Sequence, residues 1–161
     1  MVKSLLNSQV TSYLDKAIHS EMFASHLYQH LANQMQRVGY FGAQKFFLNE
    51  SADELKHYRK HVDYYNDRGS VAPVPNVEEM SDTVKTLRDA VELAYETEKQ
   101  LGDDYASWYS ECNDVMTCQF LLQFLEIQRK SIGEYGDLIA MLDLAKDDPS
   151  ALMMVDKHMG G

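Results

Sequence analysis

Apolar residues recur at helical spacing along four long segments that contain no proline. These segments extend over residues 8 to 37, 41 to 68, 82 to 111 and 114 to 144. Side chains three and four residues apart share one face of a helix, so each segment predicts an amphipathic helix with one buried face. Pro149 suits the first turn of a short fifth helix over residues 150 to 159. The pattern predicts an all-α protein.

The lengths of the connections predict how these helices are joined. The connections near residue 39 and residue 112 are only a few residues long, so each joins two antiparallel neighbours. The connection from Gly69 to Ser81 is long enough to cross a bundle, at about 3.3 Å for each extended residue. Two helical hairpins and one long crossover predict a four-helix bundle in a single domain over residues 1 to 161. The alternative is an up-down bundle with an irregular loop.

Polar residues interrupt the apolar faces near the middle of each helix. They are Glu21, Glu54, His57, Glu98 and Gln128, and each lies within a few residues of the midpoint of its segment. In a bundle of antiparallel helices, residues near the helix midpoints meet at one level. We therefore expect these five side chains to face one another inside the core. The alternative is that each is an ordinary solvated residue on a helix surface.

The chemistry of these side chains predicts a metal site. Carboxylates that are buried together repel one another and take up protons, and a shared divalent or trivalent cation removes this penalty. Glu54 and His57 have the Glu-x-x-His spacing that directs both side chains to one metal in di-iron carboxylate bundles. The second half of the pattern is altered, because Gln128 and Ser131 stand where another Glu-x-x-His is expected. Oxygen ligands with one imidazole suit iron or manganese.

Two more residues lie one or two turns from this level. Tyr28 follows Glu21 by seven residues on the same face, where it can hydrogen-bond a ligand or supply an electron. His61 follows His57 by one turn. We interpret His61 as a core or surface residue, and the alternative is a residue that supports a ligand or lies along an access route.

Charge and composition narrow the classes of partner. The formal net charge is −10, from 25 acidic and 15 basic residues, which argues against nucleic acid or an anionic membrane as a partner. We expect neither a membrane-spanning segment nor a signal peptide, because no stretch has the required apolar length. The two cysteines form no CxxC motif, and we expect reduced thiols in a cytoplasmic protein.

Several motifs together carry a resemblance to a known family. They are Ser20-Glu21-Met22 to Tyr28, Phe46-Phe47 through Glu54-x-x-His57, Tyr95-x-x-Glu98, and Phe120 through Gln128. From the first helix to the last, the chain resembles the non-haem ferritins, whose fold is a ferritin-like four-helix bundle with a short fifth helix. Its Asp148-Pro149-Ser150 ending is similar to that of cyanobacterial-type members.

The resemblance implies a di-iron ferroxidase centre and a set of ligands. Glu21, Glu54 and His57 would hold the first iron. Glu54 would bridge to a second iron, which Glu98 also holds with Gln128 close by. Tyr28 matches the tyrosine that the family places next to the centre.

Departures from the family pattern change what is expected around the second iron. Bacterioferritins have a complete second Glu-x-x-His, so their retained di-iron cofactor and haem are not expected here. The usual third iron site is also not expected, since Asp53 replaces the glutamate before Glu54 and the residues flanking Gln128 are not glutamates. Glu50, one turn before Glu54, and Glu134 are candidate transient ligands, with Asp53 as a further candidate.

The function that the resemblance implies is iron storage coupled to ferroxidase chemistry. Fe(II) and dioxygen, or hydrogen peroxide, would be the substrates, and 24 copies of the chain would form a hollow shell. A di-iron oxidase or rubrerythrin-like peroxidase is one alternative, and a shell protein with impaired ferroxidase activity is another. A DNA-protecting mini-ferritin is disfavoured by the acidic charge and by a ligand set within one subunit.

Overall fold

A computed structural model describes all 161 residues, Met1–Gly161. The chain forms five helices and no strand: α1 (Ser8–Val38), α2 (Phe41–Asp67), α3 (Leu87–Glu111), α4 (Val115–Ala145) and α5 (Pro149–Gly160). Four of them begin and end within one residue of the ranges predicted from the pattern. None of the five combines the length and apolarity that crossing a membrane requires.

The start of α3 corrects the predicted range, because the helix begins at Leu87 and not at residue 82. Thr86 and Asp89 form a reciprocal capping box, in which each side chain accepts a hydrogen bond from the other residue's backbone N–H. The residues just before the cap are held against α1, since the Val84 N–H donates to Gln34 Oε1 at 2.8 Å. These contacts keep the last residues of the crossover out of the helix, which therefore starts only at Leu87.

The predicted topology is confirmed. α1 packs along α2, α3 packs along α4, and residues 68 to 86 cross from one hairpin to the other. The fifth helix packs against α2 and α4. The arrangement is the ferritin-like four-helix bundle with one long crossover.

The docking of α5 depends on Asp156. The capping residue of α2, Tyr40, makes no side-chain hydrogen bond to the helix. Instead, the buried Asp156 carboxylate accepts from the backbone N–H groups of Gly42 at 3.1 Å and Ala43 at 2.7 Å. A Cβ atom on Gly160 would lie 2.9 Å from the Gly42 Cα, so two glycines allow the close crossing of α5 over α2.

A polar layer divides the core at mid-height. A cluster of 20 buried apolar residues fills the end of the bundle that contacts α5, and two smaller clusters fill the other end. Between them lie the buried polar side chains of Glu21, Ser25, Ser51, Glu54, His61, Glu98 and Gln128. Ser25 and Ser51 satisfy each other across α1 and α2, because each hydroxyl bonds the other residue's carbonyl oxygen. The remaining polar groups form the candidate site.

Candidate metal centre

All four long helices contribute a buried polar residue to one level of the core. Glu21 comes from α1, Glu54 and His57 from α2, Glu98 from α3 and Gln128 from α4. The two carboxylates on α1 and α3 are completely buried, and Glu54 and Gln128 are nearly so. The structure therefore brings together all five residues that the sequence places at the helix midpoints.

One group of ligand atoms gathers on the α1–α2 side. His57 Nδ1 lies 3.6 Å from Glu21 Oε2 and 3.4 Å from Glu54 Oε2. No side-chain or backbone group completes a hydrogen bond to any of these three atoms. Two oxygens and one nitrogen at these separations can coordinate one cation after small adjustments of the side chains.

A second group shares Glu54. Carboxylate oxygens of Glu50, Glu54 and Glu98 lie within 4.8 Å of one another. Gln128 Nε2 donates to Glu98 Oε2 at 2.7 Å, which leaves Gln128 Oε1 buried and without a partner. Glu54 belongs to both groups, so its carboxylate can contribute a ligand atom to either one.

The unpaired atoms test whether these residues fit metal ions. Five buried side-chain polar atoms in the chain lack a hydrogen-bond partner, and four of them are Glu21 Oε2, Glu54 Oε2, His57 Nδ1 and Gln128 Oε1. Leaving a buried polar atom unpaired costs about 1–3 kcal/mol. Cations coordinated by these four atoms would remove that penalty. The donor set of oxygens and one imidazole fits iron.

Protonation in the metal-free protein follows from the crowding of carboxyl groups. Burial raises the pKa of Glu54 well above its usual value, and the neighbouring Glu21 and Glu98 raise it further. Burial alone would raise the pKa of Glu21, but the neighbouring side chains of Glu54 and His57 lower it to about 2. The Glu21–Glu54 pair therefore holds one proton, on Glu54.

Burial also raises the pKa of two further carboxyl groups of the centre. Burial raises the pKa of Glu98, and hydrogen bonds from Tyr28 and Gln128 only partly oppose this effect. Burial raises the pKa of Glu50 to about 8, with added repulsion from Glu134 and Glu98. A cation that enters the centre must therefore displace protons.

The side chains that surround and contact the candidate ligands were only partly predicted from the sequence. The Tyr28 hydroxyl donates to Glu98 Oε1, the Tyr105 hydroxyl donates to Glu21 Oε1, and the Tyr135 hydroxyl lies 3.4 Å from Glu50 Oε2. His61 is fully buried and bonds Tyr105. The sequence carried a signal for all of them, because Tyr28, His61, Tyr105 and Tyr135 each follow a centre residue of their own helix by seven positions.

Two of the candidate transient ligands lie away from the centre. Asp53 points to solvent and pairs with Lys56 at 2.8 Å, so the structure does not bring it to the other ligands. The reason is helical geometry, since Asp53 is rotated by about 100° from Glu54. Glu134 is exposed on α4, where its charge acts on Glu50. Lys130 is also exposed and lies near Glu126 at 3.8 Å.

Comparison with known proteins agrees with this arrangement. The sequence profile of the ferritin family, described as a ferritin-like domain, matches residues 11–145. A probable bacterial non-heme ferritin-like protein of Haemophilus influenzae is 26% identical over 159 residues, which cover 97% of this chain and 96% of that protein. A bacterial non-heme ferritin of Staphylococcus aureus is 26% identical over 160 residues, with the same coverage.

The fold has close counterparts among solved structures. An open-pore ferritin from the hyperthermophilic archaeon Archaeoglobus fulgidus aligns with a TM-score of 0.92 and 23% identity, over 96% of this chain and 98% of that chain. Because the family profile covers most of the chain and its relatives align from end to end, the chain belongs to the ferritin family, among the non-haem ferritins.

Proposed function

We propose that this chain is an iron-storage ferritin whose buried centre oxidises Fe(II) with dioxygen. The observation that carries the proposal is the set of four unpaired buried atoms, Glu21 Oε2, Glu54 Oε2, His57 Nδ1 and Gln128 Oε1, at one level of a ferritin bundle. Membership of the ferritin family supports iron as the cation. Iron is the substrate of this reaction.

The first Fe(II) would bind on the α1–α2 side. Glu21 Oε2, Glu54 Oε2 and His57 Nδ1 supply two anionic oxygens and one neutral nitrogen. This set neutralises the charge of one divalent cation while the proton on Glu54 is released. The imidazole side chain is 14% exposed, so the centre is partly accessible to solvent at His57.

The second Fe(II) would bind between Glu54, Glu98 and Glu50, with Gln128 Oε1 as a neutral donor. The four carboxylates Glu21, Glu50, Glu54 and Glu98 then balance the four positive charges of two Fe(II) ions. Oxidation adds two positive charges that no residue compensates. This imbalance favours departure of Fe(III) toward a mineral over its retention as a permanent cofactor.

The reaction transfers electrons from Fe(II) to dioxygen, and the reduced oxygen takes up protons from water. The protein would hold two Fe(II) ions close together, so that both can give an electron to one dioxygen molecule. Burial excludes bulk water from the pair and strengthens the interaction of the ions with their carboxylates. Tyr28 would hold Glu98 in place through its hydrogen bond to Oε1.

Storage requires an assembly larger than one subunit. We propose that copies of the chain form a hollow shell, 24 by resemblance to the family, in which the oxidised iron collects. The net charge of −10 suits a surface that attracts and concentrates cations. A cytoplasmic location and the absence of haem belong to the same proposal.

The test is rapid mixing of metal-free protein with Fe(II) in aerobic buffer, followed by near-ultraviolet absorbance. We expect a fast phase that saturates near two Fe(II) per subunit and disappears in Glu54→Ala. Asp53→Ala is the matched control, because it removes the neighbouring carboxylate that faces solvent, and it should retain the fast phase. Native mass measured before and after iron loading tests the shell and its iron content.

Other outcomes would favour a different function. A wild-type rate no faster than buffer would indicate a shell protein with impaired ferroxidase activity. Faster turnover with hydrogen peroxide than with dioxygen, without accumulation of iron in the shell, would indicate a peroxidase.

A further inference from the structure

The turn between α3 and α4 brings together the two cysteines of the chain. Cys112 is the residue at which α3 ends, and Cys118 lies in the first turn of α4. The Cys118 thiol donates to the carbonyl oxygen of Cys112 at 3.5 Å, and the Cys112 thiol donates to the carbonyl oxygen of Asp114 at 3.3 Å. Each sulfur therefore lies against the backbone of the same short connection.

The backbone of the turn holds the two cysteines in this relation. The Cys118 backbone N–H donates to the Asp114 carbonyl oxygen at 2.9 Å, which is the same oxygen that the Cys112 thiol contacts. One carbonyl group thus binds the backbone of one cysteine and the side chain of the other. The two side chains are close enough for the Cys118 thiol to raise the pKa of Cys112.

Neither cysteine has another thiol to pair with inside the subunit. The chain contains only these two cysteines, and both are free and half-buried. A half-buried thiol is open to a small oxidant but partly shielded from a large one. Any disulfide within one subunit must therefore join Cys112 to Cys118.

The other contacts of the turn do not use the sulfur atoms. Asn7, which caps α1, donates from its side-chain amide to Asn113 Oδ1 at 2.9 Å. Arg68, at the end of α2, lies 3.5 Å from Asp114 Oδ2 and donates to Met116 Sδ at 2.9 Å. The turn therefore anchors the start of α1 and the end of α2, and these anchors can persist when the two sulfurs are joined.

The two thiols differ in reactivity. The thiolate is the form of cysteine that attacks an oxidant. Burial and the Cys118 thiol raise the pKa of Cys112 to about 11, so Cys112 retains its proton near neutral pH. Cys118 is therefore the sulfur expected to react first, and Cys112 is the second sulfur beside it.

We propose that Cys112 and Cys118 are a reversible thiol–disulfide pair that a peroxide oxidises within one subunit, independently of the iron centre. The Cys118 sulfur attacks one peroxide oxygen, so that an S–O bond forms, the O–O bond breaks and hydroxide leaves. The Cys112 sulfur then attacks the Cys118 sulfur, and the S–O bond breaks as the S–S bond forms. The two thiol protons convert both departing hydroxides to water, and the two sulfurs supply the two electrons that reduce the peroxide.

The disulfide would close a loop over residues 112 to 118 at the end of the bundle opposite α5. A covalent link restricts the unfolded chain, so the oxidised protein should unfold at a higher temperature than the reduced protein. Amides of the turn and of the first turn of α4 should also exchange more slowly with solvent. An excess of a small dithiol should reverse both changes by thiol–disulfide exchange.

The test uses the assembled, metal-free, full-length protein, reduced with dithiothreitol, desalted and treated with hydrogen peroxide. The remaining thiols are then alkylated under denaturing conditions, and tryptic peptides are analysed without reduction. No lysine or arginine lies between Lys99 and Arg129, so both cysteines fall in one peptide, separate from most of the methionines. We expect this peptide to lose both alkylation sites and two hydrogen atoms, and to regain two alkylation sites after dithiothreitol.

Single serine variants test the order of attack. Cys112→Ser should accumulate a sulfenic acid on Cys118 that dimedone captures, because the second sulfur is missing. Cys118→Ser should react with peroxide more slowly, because the remaining thiol is the one that retains its proton. Faster oxidation of Cys118→Ser than of Cys112→Ser would overturn this order.

Three results would overturn the pair itself. They are two thiols that survive excess peroxide, a sulfinic acid on either cysteine without a disulfide, and a disulfide between subunits, which would appear as a dimer in non-reducing denaturing electrophoresis. None of these measurements involves iron oxidation, so the proposed ferroxidase function stands or fails separately.

Discussion

The Tyr28 hydroxyl donates a hydrogen bond to Glu98 Oε1 and so connects the middle of α1 to the middle of α3 inside the bundle. A second bond runs in the opposite direction, from Tyr105 on α3 to Glu21 on α1. Both hydrogen bonds join α1 to α3, and each has a different carboxylate as its acceptor. Each leaves the other oxygen of its carboxylate turned toward the centre, where Gln128 or a cation meets it.

Removal of the first bond should weaken metal binding. In Tyr28→Phe, Glu98 loses a hydrogen bond that lowers its pKa, so a cation must displace a more tightly held proton. We expect binding at the second position to weaken by about 1 kcal/mol, roughly fivefold. Titration of the metal-free protein with Zn(II), which does not react with dioxygen, measures this change. Tyr109→Phe removes an exposed hydroxyl from α3 and should bind Zn(II) as the wild type does.

Glu54→Gln should stabilise the metal-free protein in a pH-dependent way. The pKa of Glu54 is raised in the folded state, so folding retains a proton that the unfolded chain loses above about pH 4.3. The stability of the wild type therefore falls as pH rises above that value, and glutamine, which cannot ionise, avoids this loss. We expect a gain of at least about 1 kcal/mol at pH 8 and little change at pH 4.

Chemical denaturation of the metal-free protein at both pH values provides the measurement. Asp53→Asn, a change at the exposed neighbour, should alter the free energy of unfolding by less than about 0.5 kcal/mol. Equal effects of Glu54→Gln at pH 4 and pH 8 would contradict the raised pKa.

Metal binding should release a proton from Glu50. Its pKa of about 8 means that Glu50 is mostly protonated at pH 7 and mostly ionised at pH 9. Affinity for a cation should therefore rise with pH through this range, and binding at pH 7 should release more protons than binding at pH 9. Zn(II) titration in weakly buffered solution with a pH electrode measures the release.

Two variants test whether Glu50 is the group that releases the proton on metal binding. Glu50→Gln should release fewer protons at pH 7, by up to one per subunit. Glu134→Gln removes a charge that raises the pKa of Glu50, so the rise of affinity should shift to lower pH without loss of the site. An unchanged proton release in Glu50→Gln would show that Glu50 takes no part in binding.

Asp156→Ala should loosen α5 from the bundle. The substitution leaves the N–H groups of Gly42 and Ala43 without their carboxylate acceptor, and α2 has no other side-chain cap. Loss of a helix cap costs about 1–2 kcal/mol. Thermal unfolding and the protection of α5 amides from hydrogen exchange should both report the change. Asp147→Ala, at an exposed residue that makes no such bond, is the control and should behave as the wild type.

The sequence alone predicted the helices and the level of the site. Helical periodicity repeats every turn, so the ranges of α1, α2, α4 and α5 could be read from local spacing. The candidate ligands could be recognised because each is a polar residue at the midpoint of an otherwise apolar helix face. They are Glu21, Glu54, His57, Glu98 and Gln128. The start of α3 was placed too early, because Ser81 and Asp82 are residue types that often cap a helix, whereas the Thr86–Asp89 capping box defines the actual start.

Contacts between atoms of different helices could not be predicted from local spacing. Whether Glu50 joins Glu54 and Glu98, and whether Asp156 reaches the first turn of α2, depends on the rotation and offset of one helix against another. The spacing of residues along a single helix does not specify those offsets. The pairing of Tyr105 with both Glu21 and His61 has the same origin, because it joins α3 to α1 and α2 across the core. Local spacing along the chain defined the types of candidate ligand and their height in the bundle. Packing of the four helices determined which atoms they contact and which carboxyl groups have raised pKa values.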